Sequence, residues 1–507
     1  MSLEGSLSVA ASGLLNINRH LAVVSQNVAN VGTTGYARQV LPQSSMSADG
    51  QGMGVRTGVA TREIDLHLQQ AALLQGGQVA GLEVRQAALS RIDAVHGIPG
   101  QGDDLPSLLG RLEDGFSALA TDPASQPRQA AVVTAAHNLA RQINSLHSTY
   151  AATRQAAHDA VVADVASLNS TLATIGELST RIVQVRALGH SSADLENQRD
   201  AAKATLSRLV EARYLEQPSG DLVISTATGV GLPIRFTTPP FSTDPATMDA
   251  AAFYPGGGIP AVTLRGVDVT TRMGTGSLAS NVMLRDTTLP IFQAELDEFA
   301  RTVSARFEDQ GLRLLTDPNG DVPPAGVPTQ APYIGYAGII GVNPDVAADP
   351  ALVRDGTHDV TASPLGASAF TTNLPGGPAG FSVLAHRVLD HAFGNEIRAG
   401  VGQPLPARTG LGPAGTLSAP YPSPAGLAAL ATALVGAQSS ESADVTATLG
   451  TARALGAALN DRVGATSAVS IDQEMTLMLQ LQSAYAANAR VISAVQAMMD
   501  QTLQMLR

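Results

Sequence analysis

The chain has 507 residues, 44% hydrophobic and only 15% charged, and carries a formal net charge of −12 at pH 7. This length exceeds what one hydrophobic core organises, so several domains are expected. The negative charge argues against nucleic acid or an anionic membrane as a partner. The absence of cysteine excludes disulfides, thiolate metal sites and cysteine nucleophiles.

The first thirty residues predict one amphipathic helix. Their apolar positions alternate in steps of four and three, which is the seam of a coiled-coil helix. The positions are Leu3, Leu7, Ala10, Leu14, Ile17, Leu21, Val24 and Val28. Of these we take Leu7, Leu14, Ile17, Leu21, Val24 and Val28 as candidate residues of an assembly interface.

A polar, glycine-rich stretch follows and then a long helical block. Residues 31–60 predict extended chain or a small hairpin. Helical periodicity resumes at Arg62 and reaches about Val95, with a break expected at Gly76-Gly77. A second helix ends at Asp122-Pro123, and the segment from Pro127 to Leu188 predicts a single helix of about 90 Å.

The middle of the chain predicts mixed structure. After a helix from Ala193 to Glu211, residues 212–284 predict strands, and Pro218–Asp221 predicts the turn of a hairpin. A helix starting near Pro290 would bury Phe292, Leu296, Phe299, Val303 and Phe307. Two further helices are expected at about 381–394 and 425–464, and the residues from Gly400 to Pro424 between them predict a surface loop.

The C-terminal helix repeats the alternation of the N-terminal one. It runs through Ile471, Met475, Met478, Gln482, Tyr485, Ala489, Ile492, Gln496, Met499, Leu503 and Leu506. A second apolar stripe comprises Leu477, Leu481, Ala484, Val491, Val495 and Met498, and one partner helix cannot cover so wide a face. Burial within the same subunit is possible, but contact with neighbouring subunits is the favoured interpretation. The candidate interface residues here are Met478, Leu481, Tyr485, Val491, Ile492 and Met499.

The expected fold is therefore mainly α with a β-rich insert. The terminal coiled-coil helices would form an assembly domain from 1–60 and 465–507. A helical rod domain would combine 61–211, 285–311 and 381–464. Residues 212–284 would form a β-rich outer domain, and 312–380 a Pro/Gly-rich extended or β segment.

No residue pattern indicates catalysis, a metal site or a cofactor. The ten histidines are scattered, and His386 and His391 are five apart, which does not place two imidazoles on one helical face. Asp317–Asp321 resembles the start of a calcium loop, but Val322 replaces the required glycine. Inspection does not exclude carboxylate pairs for glycan hydrolysis, because any acidic protein has candidates, but a hydrolase domain would need a compact extra block of its own. We therefore expect no enzyme and no cofactor.

The ends of the chain carry paired motifs. The N-terminal helix contains Ser12-Gly13-Leu14 and leads into Asn27-Val28-Ala29-Asn30 and Thr33-Thr34-Gly35-Tyr36, and the C-terminal helix contains Tyr485–Ile492. This combination resembles the axial proteins of the bacterial flagellum, the family of rod, hook and hook–filament junction subunits. Thr34 stands where that family often has proline. The resemblance marks Asn27, Asn30, Gly35 and Tyr36 as a signature turn.

A second motif, Asp194–Asp200 followed by the hairpin, resembles the junction members of this family. The resemblance implies a structural protein that forms a ring between hook and filament and adapts one lattice to the other. Its partners would be copies of itself in a ring or tube, the hook protein, the second junction protein and an export chaperone. The alternatives are the hook protein itself, or an axial protein with a peptidoglycan-hydrolase insert.

The same resemblance changes the expected location. The start of the chain lacks a secretory signal, and the most apolar stretch, Gly426–Gly436, is too short for membrane insertion. Taken alone, these features indicate a soluble cytoplasmic protein. Axial proteins leave the cell through the flagellar type III export channel without a cleaved signal, so the resemblance implies an extracellular flagellar subunit.

Overall fold

The computed structural model describes residues 3–33, 35–48, 51–98, 100–326 and 330–505. Its fold is mainly α with short strands, as the sequence predicts. The helices are α1 Leu3–Ala29, α2 Leu66–His96, α3 Leu105–Thr121, α4 Gln126–Ala187, α5 Ala193–Leu209, α6 Ser277–Met283, α7 Leu289–Asp309, α8 Pro344–Ala348, α9 Leu352–Asp355, α10 Val383–Arg387, α11 Leu427–Ser467 and α12 Ile471–Met505.

The strands are short and pair antiparallel. They are β1 Gln39–Val40, β2 Gln43–Ala48, β3 Gln51–Thr57, β4 Thr61–Arg62, β5 Arg213–Glu216, β6 Leu222–Ser225, β7 Phe241–Ser242, β8 Thr263–Leu264, β9 Val267–Asp268, β10 Leu315–Thr316, β11 Gly341–Val342, β12 Glu396–Arg398, β13 Val401–Gly402, β14 Thr409–Leu411 and β15 Leu417–Ser418. Only β7, β8 and β9 join into a three-stranded sheet; among the described residues the other sheets are two-stranded.

The large core lies between α2, α3, α4, α7 and α11. Phe116 at its centre is fully buried, and its ring centroid lies 5.8 Å from that of Phe307 and 6.3 Å from that of Phe393. The five apolar residues predicted for the helix after Pro290 are all buried in α7. Close packing of these side chains makes this core the main source of stability in the helical region.

A small core forms around the second half of α4. Val165 and Leu172 pack with Ile224 of β6, Phe241 of β7 and Leu278 of α6. The predicted hairpin is present, with β5 and β6 joined at Gly220, whose φ is +89°. Residues 212–284 contain fewer strands than the sequence predicts, and most of this region is irregular chain on the small core.

Helix α2 corrects the expected break at Gly76-Gly77, since it runs without interruption from Leu66 to His96. A Cβ atom on Gly77 would lie 2.4 Å from the carbonyl oxygen of Ser207, whereas one on Gly76 would meet nothing within 4 Å. Gly77 therefore allows close approach of α2 to the end of α5. The glycine serves packing rather than helix termination.

The segment predicted as a surface loop and the one predicted as an extended or β segment both contribute buried residues to the body of the protein. The residues predicted as a surface loop, Gly400 to Pro424, contain β13 and the β14–β15 hairpin. Leu411 and Ala419 are buried against Ala294 of α7. The 312–380 segment contains helical turns as well as strands, and it adds Leu314 and Tyr336 to the large core. In each segment the composition, rich in Pro and Gly, gives no indication that these apolar residues are buried.

The two terminal helices, α1 and α12, pack along each other, and the β2–β3 hairpin lies beside α1. A Cβ on Gly54 of β3 would lie 2.3 Å from the hydroxyl oxygen of Ser12, so hairpin and helix are in direct contact. Within the described ranges, no helix is both long and apolar enough to cross a membrane.

Candidate assembly interface

The N-terminal seam faces α12 and the hairpin. Ile17 and Val24 are buried, as is Ala10, while Leu7, Leu14, Leu21 and Val28 are half-buried. Gly13 gives the close contact with α12, because a Cβ there would lie 3.2 Å from Oδ1 of Asn488. The structure thus brings all six predicted residues of α1 to its covered side.

The predicted seam of α12 is displaced. The covered face of α12 is centred on Glu474, Leu481, Asn488 and Val495, one residue earlier than the predicted line through Met475. Of the candidate residues, Met478, Leu481, Ile492 and Met499 are half-buried, whereas Tyr485 and Val491 are 43% and 47% exposed. Leu503 and Leu506 lie outside the residues whose side chains are described.

This displacement has a physical cause. Glu474 is fully buried because it pairs with Arg38, whose Nε lies 2.7 Å from Oε1 of the glutamate. Asn488 is accommodated opposite Gly13. Two polar residues with specific partners therefore occupy the contact face, and an alternation that counts apolar residues alone misses them.

Apolar side chains remain exposed on both flanks of that face. Those at least 43% exposed on α12 are Ile471, Met475, Leu479, Tyr485, Val491, Met498 and Met505. At 100° per residue, Met475 and Tyr485 fall on one side of the α1 contact and Val491 and Met498 on the other. Exposed apolar residues grouped on the two flanks of a helix are typical of an interaction site.

The signature turn is organised around Asn27, which is buried. Its amide nitrogen donates to the carbonyl of Gln39 at 2.9 Å, and its Oδ1 accepts from the Gln39 N–H at 2.9 Å and from the Tyr36 hydroxyl at 3.1 Å. Burial, reinforced by the negative charge of Asp194, raises the pKa of Tyr36 to about 12. The phenol therefore keeps the proton that it donates to Asn27.

Asn30 and Gly35 shape the end of α1. The Asn30 amide donates to the carbonyl of Gln26 at 2.9 Å, and the N–H of Tyr36 donates to the carbonyl of Thr33 at 3.1 Å. Gly35 has φ +81°, a left-handed conformation that favours glycine at the third position of such a turn. Thr34, the remaining residue of the motif, lies outside the described residues.

The second motif contacts this turn. Asp194 accepts a hydrogen bond from the side chain of Gln39 at 2.8 Å, and Oδ1 of Asn197 accepts one from the Ala37 N–H at 3.4 Å. Arg62 reaches the same helix, with Nε 2.8 Å from Glu196 and Nη1 2.5 Å from Asp200. The two motifs that carry the resemblance at the sequence level are thus in direct contact.

The sequence did not single out Arg38, Gln39 or Arg62 as site residues. The position of Arg38 and Gln39 immediately after the signature turn is a local signal that could have indicated those two, whereas Arg62 has no such signal. Among the described residues, no group of three or more His, Cys, Asp or Glu could hold a metal ion.

Comparison with known proteins gives two matching family models and several relatives. A model described as the flagellar hook-associated protein FlgK helical domain matches residues 89–321, and one described as flagellar basal body rod FlgEFG protein C-terminal matches residues 465–505. Flagellar hook-associated protein 1 of Salmonella typhimurium is 26% identical over 260 residues, covering 49% of this chain and 46% of that protein. The chain is similar to hook-associated protein 1 over its helical block and to flagellar rod proteins at its C-terminus.

Two further proteins show similarity to this chain. Hook-associated protein 1 of Escherichia coli K12 is 24% identical over 337 residues, covering 63% of this chain and 59% of that protein. The match to the Salmonella typhimurium protein spans about half of that relative's length. The solved flagellar hook junction protein FlgK of Burkholderia pseudomallei aligns with 18% identity and a TM-score of 0.40, over 50% of this chain and 45% of that one.

Proposed function

We propose that this chain is a structural subunit of the bacterial flagellum that forms the junction between hook and filament. The carrying observation is the apolar surface on both flanks of α12, since this surface lies next to a covered α1 contact and has no cover in the single chain. Burying each large side chain there would contribute roughly 1.5–3 kcal/mol. Contacts repeated around a ring would hold an assembly without covalent links.

The proposed partners follow from the family. They are further copies of this chain through α1 and α12, the hook protein on one side, the second junction protein on the other and an export chaperone before assembly. The subunit would act outside the cell after type III export. This role is structural rather than catalytic, and it accords with the hook-associated relatives.

The first test is deletion of the gene in its host, followed by electron microscopy and an immunoblot of the medium for flagellin. We expect hooks of normal length without filaments, and flagellin released as monomer. Missing hooks would instead indicate the hook protein. Unchanged flagella would contradict an axial role.

The second test complements that deletion with interface variants. Tyr485→Ser and Val491→Ser change exposed residues, so the isolated chain should keep its fold while filament formation is lost. Leu188→Ser is the matched control, because Leu188 is 73% exposed but lies at the end of α4. Normal filaments from the double Tyr485→Ser/Val491→Ser variant would refute the role of these flanks.

Variants on the covered side separate pairing from assembly. Leu21→Asp places a charge in the α1–α12 contact, as does Ile492→Asp from the other helix. Both should release the terminal helices from each other and abolish assembly, leaving the α2–α11 region folded. Circular dichroism of the purified variants checks the fold.

A further inference from the structure

A groove that is open to solvent lies over α2 between α6 and α11. Its cavity volume is about 430 Å³, and we call it the α2 groove. Leu82 of α2 lines it, together with Met283 of α6 and Leu455 of α11 from the two flanking helices. Met283 is 46% exposed and Leu455 is 51% exposed. Two large apolar side chains on one open groove form a surface that a partner can cover.

The α11 side of the α2 groove carries an unpaired negative charge. Asp444 is exposed and precedes Leu455 on α11. At 100° and 1.5 Å per residue, these two residues lie on the same side of the helix, about 16 Å apart along its axis. The neighbouring Glu441 is paired with Arg85, whereas no ion pair among the described residues includes Asp444. The free carboxylate favours a partner that carries a cation.

The β5–β6 hairpin has an exposed face of complementary character. Leu215 and Val223 are directly opposite each other in its register and are 67% and 47% exposed. Arg213 lies two residues before Leu215, so its side chain leaves the same face of the sheet. That side chain is 61% exposed, and its ion pair with Glu211 has a long N–O distance of 4.0 Å. This face is therefore an apolar pair with a weakly paired cation at one end.

The sequence of β6 indicates that this outer face of the hairpin is covered by a partner. The strand contains Leu222, Val223 and Ile224 in succession, a pattern typical of strands that are buried on both faces. Leu222 and Ile224 are buried in the small core, which covers the inner face. Val223 remains exposed in the single chain.

We propose that the outer face of the hairpin of one copy docks in the α2 groove of the next copy. Leu215 then lies between Met283 and Leu455, and Arg213 pairs with Asp444. This contact rests on the proposed function, joins the bodies of neighbouring subunits and requires nothing of the terminal helices. Because hairpin and groove are different surfaces, the contact is heterologous, and each copy offers one surface to each of its neighbours around a ring.

Cross-linking in cells tests this contact, because the chain contains no cysteine. Ser225, opposite Arg213 in the hairpin, and Thr448, about one turn from Asp444 in the groove, flank the proposed ion pair. The Ser225→Cys/Thr448→Cys double variant is expressed in the gene-deletion strain, and the cells are treated with a short bismaleimide. We expect a ladder of covalent multimers on a denaturing gel, and electron microscopy of the same cells records the filaments.

Single-site variants show whether the contact is heterologous. Co-expression of Ser225→Cys and Thr448→Cys in separate chains should give dimers and nothing larger, and each variant expressed alone should give monomers. Ser225→Cys/Thr432→Cys is the matched control and should also give monomers, since Thr432 is an exposed threonine on the opposite side of α11.

A charge exchange provides the second measurement. In the double-cysteine background, Arg213→Glu and Asp444→Arg should each lower the yield of multimers about tenfold, because like charges then meet across the contact. Arg213→Glu combined with Asp444→Arg should restore the yield. The same charge variants without the cysteines should change the number of filaments per cell in the same order. Circular dichroism of the purified variants checks that each chain is folded.

The remaining outcomes separate this contact from the proposed function. Filaments on cells whose subunits stay monomeric after cross-linking overturn the docking of hairpin and groove and leave the proposed function standing. Dimers from one single-site variant alone indicate a two-fold contact and also overturn it. An equal ladder from the Thr432 control, or a charge exchange that fails to restore the yield, has the same consequence. Filaments on the deletion strain itself overturn the proposed function.

Discussion

Replacing Glu295 with glutamine should stabilise the protein at neutral pH. Glu295 is buried at the centre of a network of four helices, where it accepts a hydrogen bond from the Gln438 amide at 3.0 Å. Oε1 of the glutamate has no partner in the described structure, and no ion pair involving it is formed there. Gln438 in turn accepts from the Tyr150 hydroxyl at 2.6 Å and contacts Nε2 of His96 at 2.9 Å.

The pH dependence follows from the pKa of this carboxyl. Burial raises the pKa of Glu295 from 4.5 to about 8. Below pH 4.5 the carboxyl is protonated in both the folded and the unfolded chain, so its burial does not reduce folding stability. As the pH rises from there to about 8, only the unfolded chain loses its proton, and folding stability falls by about 1.4 kcal/mol per pH unit. At pH 7 the loss reaches about 3 kcal/mol.

Glutamine mimics the protonated acid at every pH and can accept the same hydrogen bond. Glu295→Gln should therefore raise the free energy of unfolding by about 3 kcal/mol at pH 7 and by less than about 1 kcal/mol at pH 5. Urea unfolding followed by circular dichroism at both pH values measures the difference. Glu177→Gln, on the exposed face of α4, is the control. Equal gains at the two pH values, or a loss at pH 7, would refute the reasoning.

Four further variants test packing and hydrogen bonding by the same unfolding assay. Gly77→Ala should destabilise the folded protein by about 1–3 kcal/mol, because the added Cβ would overlap the Ser207 carbonyl. Gly76→Ala should instead stabilise it by about 0.5–1 kcal/mol. Equal effects of the two variants would contradict this packing role of Gly77. Phe116→Ala should cost about 3–5 kcal/mol, and a cost below 1 kcal/mol would mean that the large core rearranges. Asn27→Ala should cost about 1–3 kcal/mol, since it leaves two backbone groups unpaired; unchanged stability would indicate that water replaces them.

The helices were predictable because their signal is local. The segment from Pro127 to Leu188 has an apolar rhythm sustained over many turns, and α4 spans 62 residues there. The hairpin at Pro218–Asp221 is also encoded by adjacent residues, a turn flanked by two apolar runs. In both cases the pattern that buries a face lies within a single element.

Features that depend on distant residues were not predictable. From the sequence alone Gly77 predicts a helix break, and only its contact with the distant Ser207 carbonyl shows that it serves packing. Glu474 is an unremarkable acidic residue of a first turn until Arg38, 436 positions away, is brought to it. The contact face of α12 shifted by one residue for this reason, and Tyr485 and Val491 consequently stay exposed in the single chain.

One helix contributes to both cores. The first half of α4 supplies Ile143 and Tyr150 to the large core, and the second half supplies Val165 and Leu172 to the small core. The backbone between them is uninterrupted helix, so neither core can lose its packing without freeing half of a helix that the other holds in register. The two cores should accordingly melt in a single cooperative transition, and the length of α4 sets the size of that folding unit.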